Sequence, residues 1–283
     1  MRGLISGWKE QRGKGKADLQ QAPATPFDFK GFAPPDDAGL ESVIGNDDSV
    51  IVNDTANAPW RPLVCMRINA PGEFLIGSGI LIKPNVILTA AHNVYRLNSK
   101  AYATSIIAHV GVTTSGNAGA EAIGARVQCP PQYVACAGPN DPTRLPFDFA
   151  VIHLTSDALG KWTKPESMPD ILSQTPMSEP ELRSAQLTLA GYPVYDGKPI
   201  VLRKCLGRVV STTGTGLIYD MDSLPGQSGG PVFRVNEPSK SITFAGVHTT
   251  GQEIENRARR WDATMQNTVK GWLGGAARST AIA

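Results

Sequence analysis

Residues 225–233 read PGQSGGPVF: Ser228 stands among Pro225, Gly226, Gly229 and Gly230, and an apolar strand begins directly afterwards. Glycines at this density let the backbone turn tightly and come close to a ligand. A nucleophilic serine needs that geometry, because its hydroxyl must be exposed while neighbouring N–H groups converge on a developing oxyanion. The N–H groups of Gly226 and Ser228 are the two candidate donors. A glycine-rich hairpin loop would look the same in isolation, so the pattern has to be tested against the rest of the chain.

A serine hydroxyl is a weak nucleophile at its own pKa and requires a base. VILTAAHNVY (residues 86–95) supplies His92 straight after an apolar strand, where TAAH can form a short turn that presents the imidazole. FDFAVIHL (147–154) places Asp148 at the mouth of another apolar strand. A carboxylate there is costly unless it is hydrogen-bonded, as it would be to His92. The order His92, Asp148, Ser228 is more specific than any of the three alone.

Outward from these motifs the chain reads as short strands with turn signals between them. PLVCMRI, EFLIGSGILI, VILTA, SIIAHVGV, AIGARVQC and FAVIHL form a first set. AQLTLAGYP, KPIVLRKCLGRVVS, GLIYD, GPVFRV and SITFAGVHTT form a second. The 29 Gly and 22 Pro among 283 residues favour turns, hence β structure, over helical bundles. The expected fold is all-β, two antiparallel six-stranded barrels packed together and closed by a C-terminal helix. That helix is expected over 256–273, where Trp261, Met265, Val269 and Trp272 make one apolar stripe. The expected organisation is a leader or pro-segment over 1–41, a first barrel over 42–160 and a connector over 161–184. A second barrel over 185–255 follows, then the helix and a tail over 274–283.

A net charge of +2 gives no global attraction to nucleic acid or anionic membranes. No stretch is apolar for long enough to span a bilayer, and the N-terminus lacks the apolar run of a secretory signal. No cofactor and no metal site are expected, and a monomer is. Among the four cysteines, Cys129 and Cys136 bracket a loop that a local disulfide could close, whereas Cys65 and Cys205 read as small buried apolar residues. His109 and His153 read as strand or surface residues, not ligands.

GQSGGP, TAAH and DFAVI in this order resemble the chymotrypsin-fold serine proteases, from about Val43 to Leu273. The resemblance implies a catalytic triad of His92, Asp148 and Ser228, an oxyanion hole at Gly226 and Ser228, and a polypeptide substrate. It also implies an extracellular setting. The family's brace, a cysteine directly after the histidine, is replaced by Asn93, and the facing IGSGIL strand lacks its partner. Finer features are similar to bacterial glutamyl endopeptidases: SVIGNDDSVIVNDTANAPW (42–60), YDMDSLPGQSGGP (219–231) and GVHTTG (246–251). Gln227 stands where trypsin-like zymogens carry an aspartate that pairs with the freed N-terminus, so that route of activation is excluded. A cut around Glu41–Val43 would instead place a new α-amine near an acidic substrate side chain.

A glutamate-binding pocket must return hydrogen bonds to a desolvated carboxylate. His248, interrupting the apolar run FAGVHTTG (244–251), is the candidate donor, with Ser223 on the opposite wall and Thr250 further along the strand. Asp222 opposes this reading: six residues before Ser228, it would select Arg or Lys if it pointed into the pocket. It is expected to face away. Two alternatives remain open, namely basic specificity through Asp222 and a non-catalytic or toxin-like binding module on the same barrels.

Overall fold

The computed structural model describes residues 42–155, 162, 168–195, 197–252, 254–275 and 279–282. The expected leader over 1–41 and residues 161 and 163–167 of the expected connector lie outside the described residues. The chain enters along a short strand, β1 (Val50–Ile51), then builds a first sheet from β2 (Leu63–Ala70), β3 (Glu73–Lys83) and β4 (Val86–Thr89). A small hairpin, β5 (Tyr95–Arg96) with β6 (Ala101–Tyr102), precedes β7 (Ser105–Val110), β8 (Ala120–Gln128) and β9 (Ala150–Leu154). The order β8-β7-β2-β3-β4-β9 closes through a β8–β9 ladder, so this sheet is a six-stranded antiparallel barrel. A closed ring leaves no free edge among its members.

The second sheet contains β10 (Leu187–Gly191), β11 (Arg203–Gly207), β12 (Val209–Thr212), β13 (Gly216–Tyr219), β14 (Pro231–Asn236), β15 (Ser241–Gln252) and β16 (Glu255–Arg260). Their order is β11-β10-β14-β15-β16-β13-β12, with β1 added outside β11. The two ends, β11 and β12, are separated in sequence by Arg208 alone. The end strands β11 and β12 of the second sheet are thus one continuous run of chain, bent at Arg208.

Alternation along the strands sorts the core. In β2, Val64, Met66 and Ile68 fill the first barrel, while Leu63 and Cys65 face the apolar layer between the barrels. Leu187, Leu189, Val232 and Ala245 belong to the second barrel's own core. The intermediate layer also takes Trp261, Met265, Val269 and Trp272, the stripe of helix α3 (Ala263–Leu273). Trp272 stacks on Phe149 with ring centroids 5.5 Å apart, so the helix buttresses the segment that leads from Asp148 into β9.

Residues 256–260, expected to be helical, are strand. They pair with both β13 and β15, so sheet pairing on two sides outweighs the helical pattern that begins at Asp262, whose carboxylate caps α3 at Met265 N. Within 161–184, besides α1 (Pro131–Val134) earlier in the chain, the structure adds helix α2 (Glu179–Ser184). Ser178 and Glu181 form its capping box, a local signal in SEPE that the four prolines of this stretch obscured. The tail returns to the first barrel as β17 (Thr280–Ala281), paired with β8. Among the described residues no helix is long and apolar enough to cross a membrane.

His109 on β7 is 1% exposed, and burial, then the nearby Arg67 charge, pulls its pKa down to about 4; the Glu121 carboxylate, 3.5 Å from Nδ1, opposes this only weakly because it is largely solvent-exposed. The unfolded chain takes up a proton below about pH 6.5, where the folded chain does not. Stability should therefore be whole above that pH and fall as pH drops from about 6.5 to about 4. Urea titrations across this range should show a shallower loss for His109→Gln than for the wild type; equal slopes would remove His109 as the cause.

Candidate active site

β4 ends at Thr89 and the chain makes a single turn over Ala91–Asn93, which puts His92 at the lip between the barrels. Asp148 follows a proline-flanked turn over Pro142–Phe147 and is fully buried. The His92 ring Nδ1 lies 2.9 Å from Asp148 Oδ2 and 3.1 Å from Oδ1, and the His92 backbone N–H donates to Oδ1 at 3.1 Å. Arg144 Nη1 also donates to Oδ2, at 3.1 Å. Burial pushes the Asp148 carboxyl up, but the His92 charge and hydrogen bond, followed by the Arg144 guanidinium, outweigh it and hold the pKa below the ordinary carboxylate value. An ionised carboxylate here fixes the ring with Nδ1–H towards it and Nε2 away from it.

Ser228 is held against His92's own segment. Its carbonyl accepts from Asn93 Nδ2 at 2.9 Å and from Ser78 N at 2.8 Å, both from the first barrel. Gly229 must be glycine: its φ is +85°, and a Cβ would run into Thr89 Oγ1, the Ser78 carbonyl and the Asn93 amide. Gly226, at φ +99°, likewise abuts the Tyr192 carbonyl. In a trans peptide the C=O and the following N–H point to opposite sides. The Pro225 carbonyl is held by Val194 N at 2.7 Å and the Gln227 carbonyl by Gly230 N at 2.8 Å. The N–H groups of Gly226 and Ser228 are each turned the other way, out of the loop's own framework.

His248 pairs directly with this loop: its carbonyl accepts from Gly229 N and its N–H donates to the Gly230 carbonyl, each at 2.8 Å. Its ring Nδ1 meets the Tyr219 hydroxyl at 2.5 Å. The bulge in the β15–β16 ladder between His248 and Thr250 shifts the strand's facing, and the Thr250 hydroxyl turns to the Gly251 carbonyl at 3.4 Å. Ser223 sends its hydroxyl to Asn256 Oδ1 at 2.7 Å. Ser223, Thr250 and His248 thus stand on neighbouring segments, yet each side chain engages a different partner.

Asp222 faces away from the loop. Its two oxygens accept from Ile44 N at 2.7 Å and Asp48 N at 2.9 Å, clamping the segment that follows residue 41. Burial and then the Asp48 carboxylate, set against those two N–H groups, leave the Asp222 pKa raised. Ser42, at the start of that segment, donates its N–H to Asn256 Oδ1 at 3.1 Å, and its carbonyl accepts from Asn256 Nδ2 and from Ser223 N.

Asn256, Tyr219 and Arg144 were not foreseen. Asn256 lay inside the stretch expected to be helix, Tyr219 reads as one more inward strand residue, and Arg144 sits in a loop. Only the i, i+4 spacing of Arg144 to Asp148 offered a local signal. Asp48, Cys205 and Asp222 are the one group of potential metal-ligating side chains among the described residues. Cys205 Sγ donates to Asp48 Oδ1 at 2.8 Å and Asp222 is engaged by backbone N–H, so these atoms stitch the entering segment to the barrel. Cys129 and Cys136 are free, as are Cys65 and Cys205; the bridge that could have closed the 129–136 loop is not formed. Burial pushes the Cys65, Cys129 and Cys205 thiols up, the second to about 12, so none is a ready thiolate.

A family model described as "Trypsin-like peptidase domain" matches residues 77–237, more than half of the chain. The glutamyl endopeptidase of Staphylococcus aureus strain MRSA252 is 24% identical over 215 residues, 74% of this chain and 52% of that protein. That of strain MW2 is equally similar and is covered to 57%. The chain spans about half the length of the curated relatives it matches. Among solved structures, a Glu endopeptidase in complex with MPD superposes with a TM-score of 0.66 at 22% identity, covering 83% of this chain and 100% of that one. The protease Anisep from Arthrobacter nicotinovorans gives 0.60 at 16% identity, covering 78% and 96%. These likenesses establish the two-barrel fold.

The clamp on the entering segment has a direct consequence. In Asp222→Ala the amides of Ile44 and Asp48 lose their acceptors and should exchange hydrogen roughly 10–100-fold faster. Unchanged protection at both amides would mean that the carboxylate does not hold this segment.

Proposed function

The chain belongs to the trypsin-like peptidase family, and we propose that it is a serine endopeptidase cleaving after glutamate or aspartate through an acyl-enzyme. The observation that carries the catalytic half is the double tie at the lip: Asp148 against His92 Nδ1 at 2.9 Å, and Asn93, the next residue, bonded to the Ser228 carbonyl at 2.9 Å. Held this way, His92 takes the Ser228 proton as Oγ attacks the scissile carbonyl and returns it to the leaving amine. Asp148 keeps the imidazole in the needed tautomer and stabilises the imidazolium. The N–H groups of Gly226 and Ser228 receive the oxyanion. Water then repeats the sequence on the acyl-enzyme.

The specificity half rests on two contacts. Asp222, whose carboxylate would favour Arg or Lys, is engaged by Ile44 and Asp48, which argues against a basic preference. In the tautomer in which the Tyr219 hydroxyl donates to His248 Nδ1, the ring proton lies on Nε2, the nitrogen suited to donate to a substrate carboxylate. Ser223 and Thr250 line the flanking walls, and in this reading their hydroxyls turn from Asn256 Oδ1 and the Gly251 carbonyl to the substrate carboxylate when it binds. Ser42, bonded to Asn256 and Ser223, brings the entering segment to the same wall, so a cut after Glu41 would deliver an ammonium there. In this reading residues 1–41 are a removable leader and the mature enzyme works outside the cell.

Ser228→Ala should lower kcat by roughly 10^4-fold or more while leaving the fold intact, as read by circular dichroism. Undiminished hydrolysis would refute the triad. In a peptide library, the wild type should cut after Glu, and His248→Ala should lower the Glu-over-uncharged preference by about tenfold or more. Cutting after Arg would return the pocket to Asp222. N-terminal sequencing of fully active enzyme should find a start at residues 42–43, and an intact Met1 would remove the leader from the account.

A further inference from the structure

Asp148 is shared. One side faces His92, and the other faces Arg144, whose side chain is 8% exposed and whose Nη1 lies 3.1 Å from Oδ2. The Arg144 fork is fixed from its other edge, where Nε donates to the Pro139 carbonyl at 2.6 Å. The turn that carries it is set by Asp141, which caps Thr143 N at 2.9 Å and takes Ala137 N at 3.0 Å. A guanidinium so held cannot swing to solvent without leaving a buried carboxylate half satisfied.

We propose that Arg144 is a positioning residue for the reaction: by holding the far side of the Asp148 carboxylate it sets both the orientation of that carboxylate and how strongly it draws a proton onto His92. This rests on the serine-peptidase reading above. In the resting site a buried Asp148 beside a neutral imidazole would be an uncompensated charge, and Arg144 compensates it. When His92 takes the serine proton, the guanidinium on the far side of the carboxylate repels the new imidazolium and offsets part of the attraction of Asp148. Removing the guanidinium leaves His92 as the sole partner, so the resting site holds a proton on the imidazole up to a higher pH.

The other charged and titratable groups packed around the pair are accounted for. Arg96 Nη1 donates to the His92 carbonyl, not to the ring, and its guanidinium is paired with Glu73 at 3.0 Å. Arg259 lies 5.6 Å from the Phe149 ring and is paired with Asp262 at 2.7 Å. Cys129, near Asp148, stays a thiol. Among the described residues, Arg144 is the one side chain besides His92 that hydrogen-bonds to the Asp148 carboxylate.

The test is the pH dependence of kcat/KM on a Glu-containing peptide, using active-site-titrated enzyme with its full chain. Arg144→Met should move the acid limb upward by about one pH unit, the size expected for one charge at this range in a partly screened site. Arg144→Lys, which restores a cation, should leave the limb in place, and KM should be unchanged in both because Arg144 does not face the substrate. Coincident limbs for Met and wild type, or a Lys variant that moves as far as Met, would reduce Arg144 to a packing residue. Should the Met variant not fold, Arg144→Gln carries the same expectation. If neither folds, the Lys variant decides alone: a limb displaced by about one pH unit despite the retained cation refutes the role, and failure of both neutral variants beside a folded Lys variant with an unmoved limb supports the need for a cation against buried Asp148. A wild type with no hydrolysis at any pH refutes the peptidase reading itself, whereas an active wild type with unmoved limbs refutes only the role of Arg144.

Discussion

A carboxylate with no access to water cannot remain charged unless the protein surrounds it with donors, and Asp148 sets that demand on the molecule. Its four close contacts come from the His92 backbone, the His92 ring and Arg144. The residue after it, Phe149, stacks on Trp272 of the C-terminal helix, while Arg259 of the second barrel donates to the Pro146 carbonyl two residues before it at 2.7 Å. The helix, both barrels and the turn over 142–147 therefore converge on one ion. The apolar stripe of α3 is part of the same arrangement, because it fills the space behind that strand.

The barrels are joined at the site by polar stitches instead of a covalent brace. Asn93 bridges Thr89 Oγ1 and the Ser228 carbonyl, both at 2.9 Å, and lies over Gly77, where a Cβ would come within 2.8 Å of its amide nitrogen. Ser78 contributes more: its N–H reaches the Ser228 carbonyl, its hydroxyl the Gly226 carbonyl at 2.7 Å, and Tyr192 N donates to that hydroxyl at 2.8 Å. Each such bond contributes about 1 kcal/mol net. Several of them on one loop hold its geometry through directionality, where a disulfide would hold it through chain connectivity. Where the brace would stand beside His92, Asn93 instead packs closely over Gly77.

Much of the fold was legible because strand burial is a local pattern. LVCMRINA and AVIHL announce themselves through alternation or unbroken apolarity, and the apolar stripe from Trp261 to Trp272 announces a helix. The error at 256–260 has a physical cause: NRARR holds one small residue, Ala258, among four polar ones and so displays neither period, and only pairing with β13 and β15 decides. His92, Asp148 and Ser228 could be singled out because the order of TAAH, DFAVI and GQSGGP is more specific than any one of these stretches, and the structure places His92 against Asp148 and Asn93 against the Ser228 carbonyl. Arg144, Tyr219 and Asn256 could not, since an arginine in a loop, a tyrosine in a strand and an asparagine near a hairpin are ordinary residues until their partners are known.

Asp222 marks the boundary between the two kinds of information. Its position six residues before Ser228 was plain from the chain, but its direction depended on whether the backbone of Ile44 and Asp48, about 175 residues away, offered it better partners than the loop did. The sequence by itself determined the two-barrel class, the spacing of a serine, a histidine and an aspartate, and the glycines that the Ser228 loop requires, because all of these follow from local pattern and steric need. Only the tertiary structure decided which way Asp222 points, what His248 and Ser223 bind, and that Asp148 is shared with Arg144. Those are contests among hydrogen-bond partners distant in the chain, and they are settled by which groups the packed barrels bring within 3 Å or so of one another.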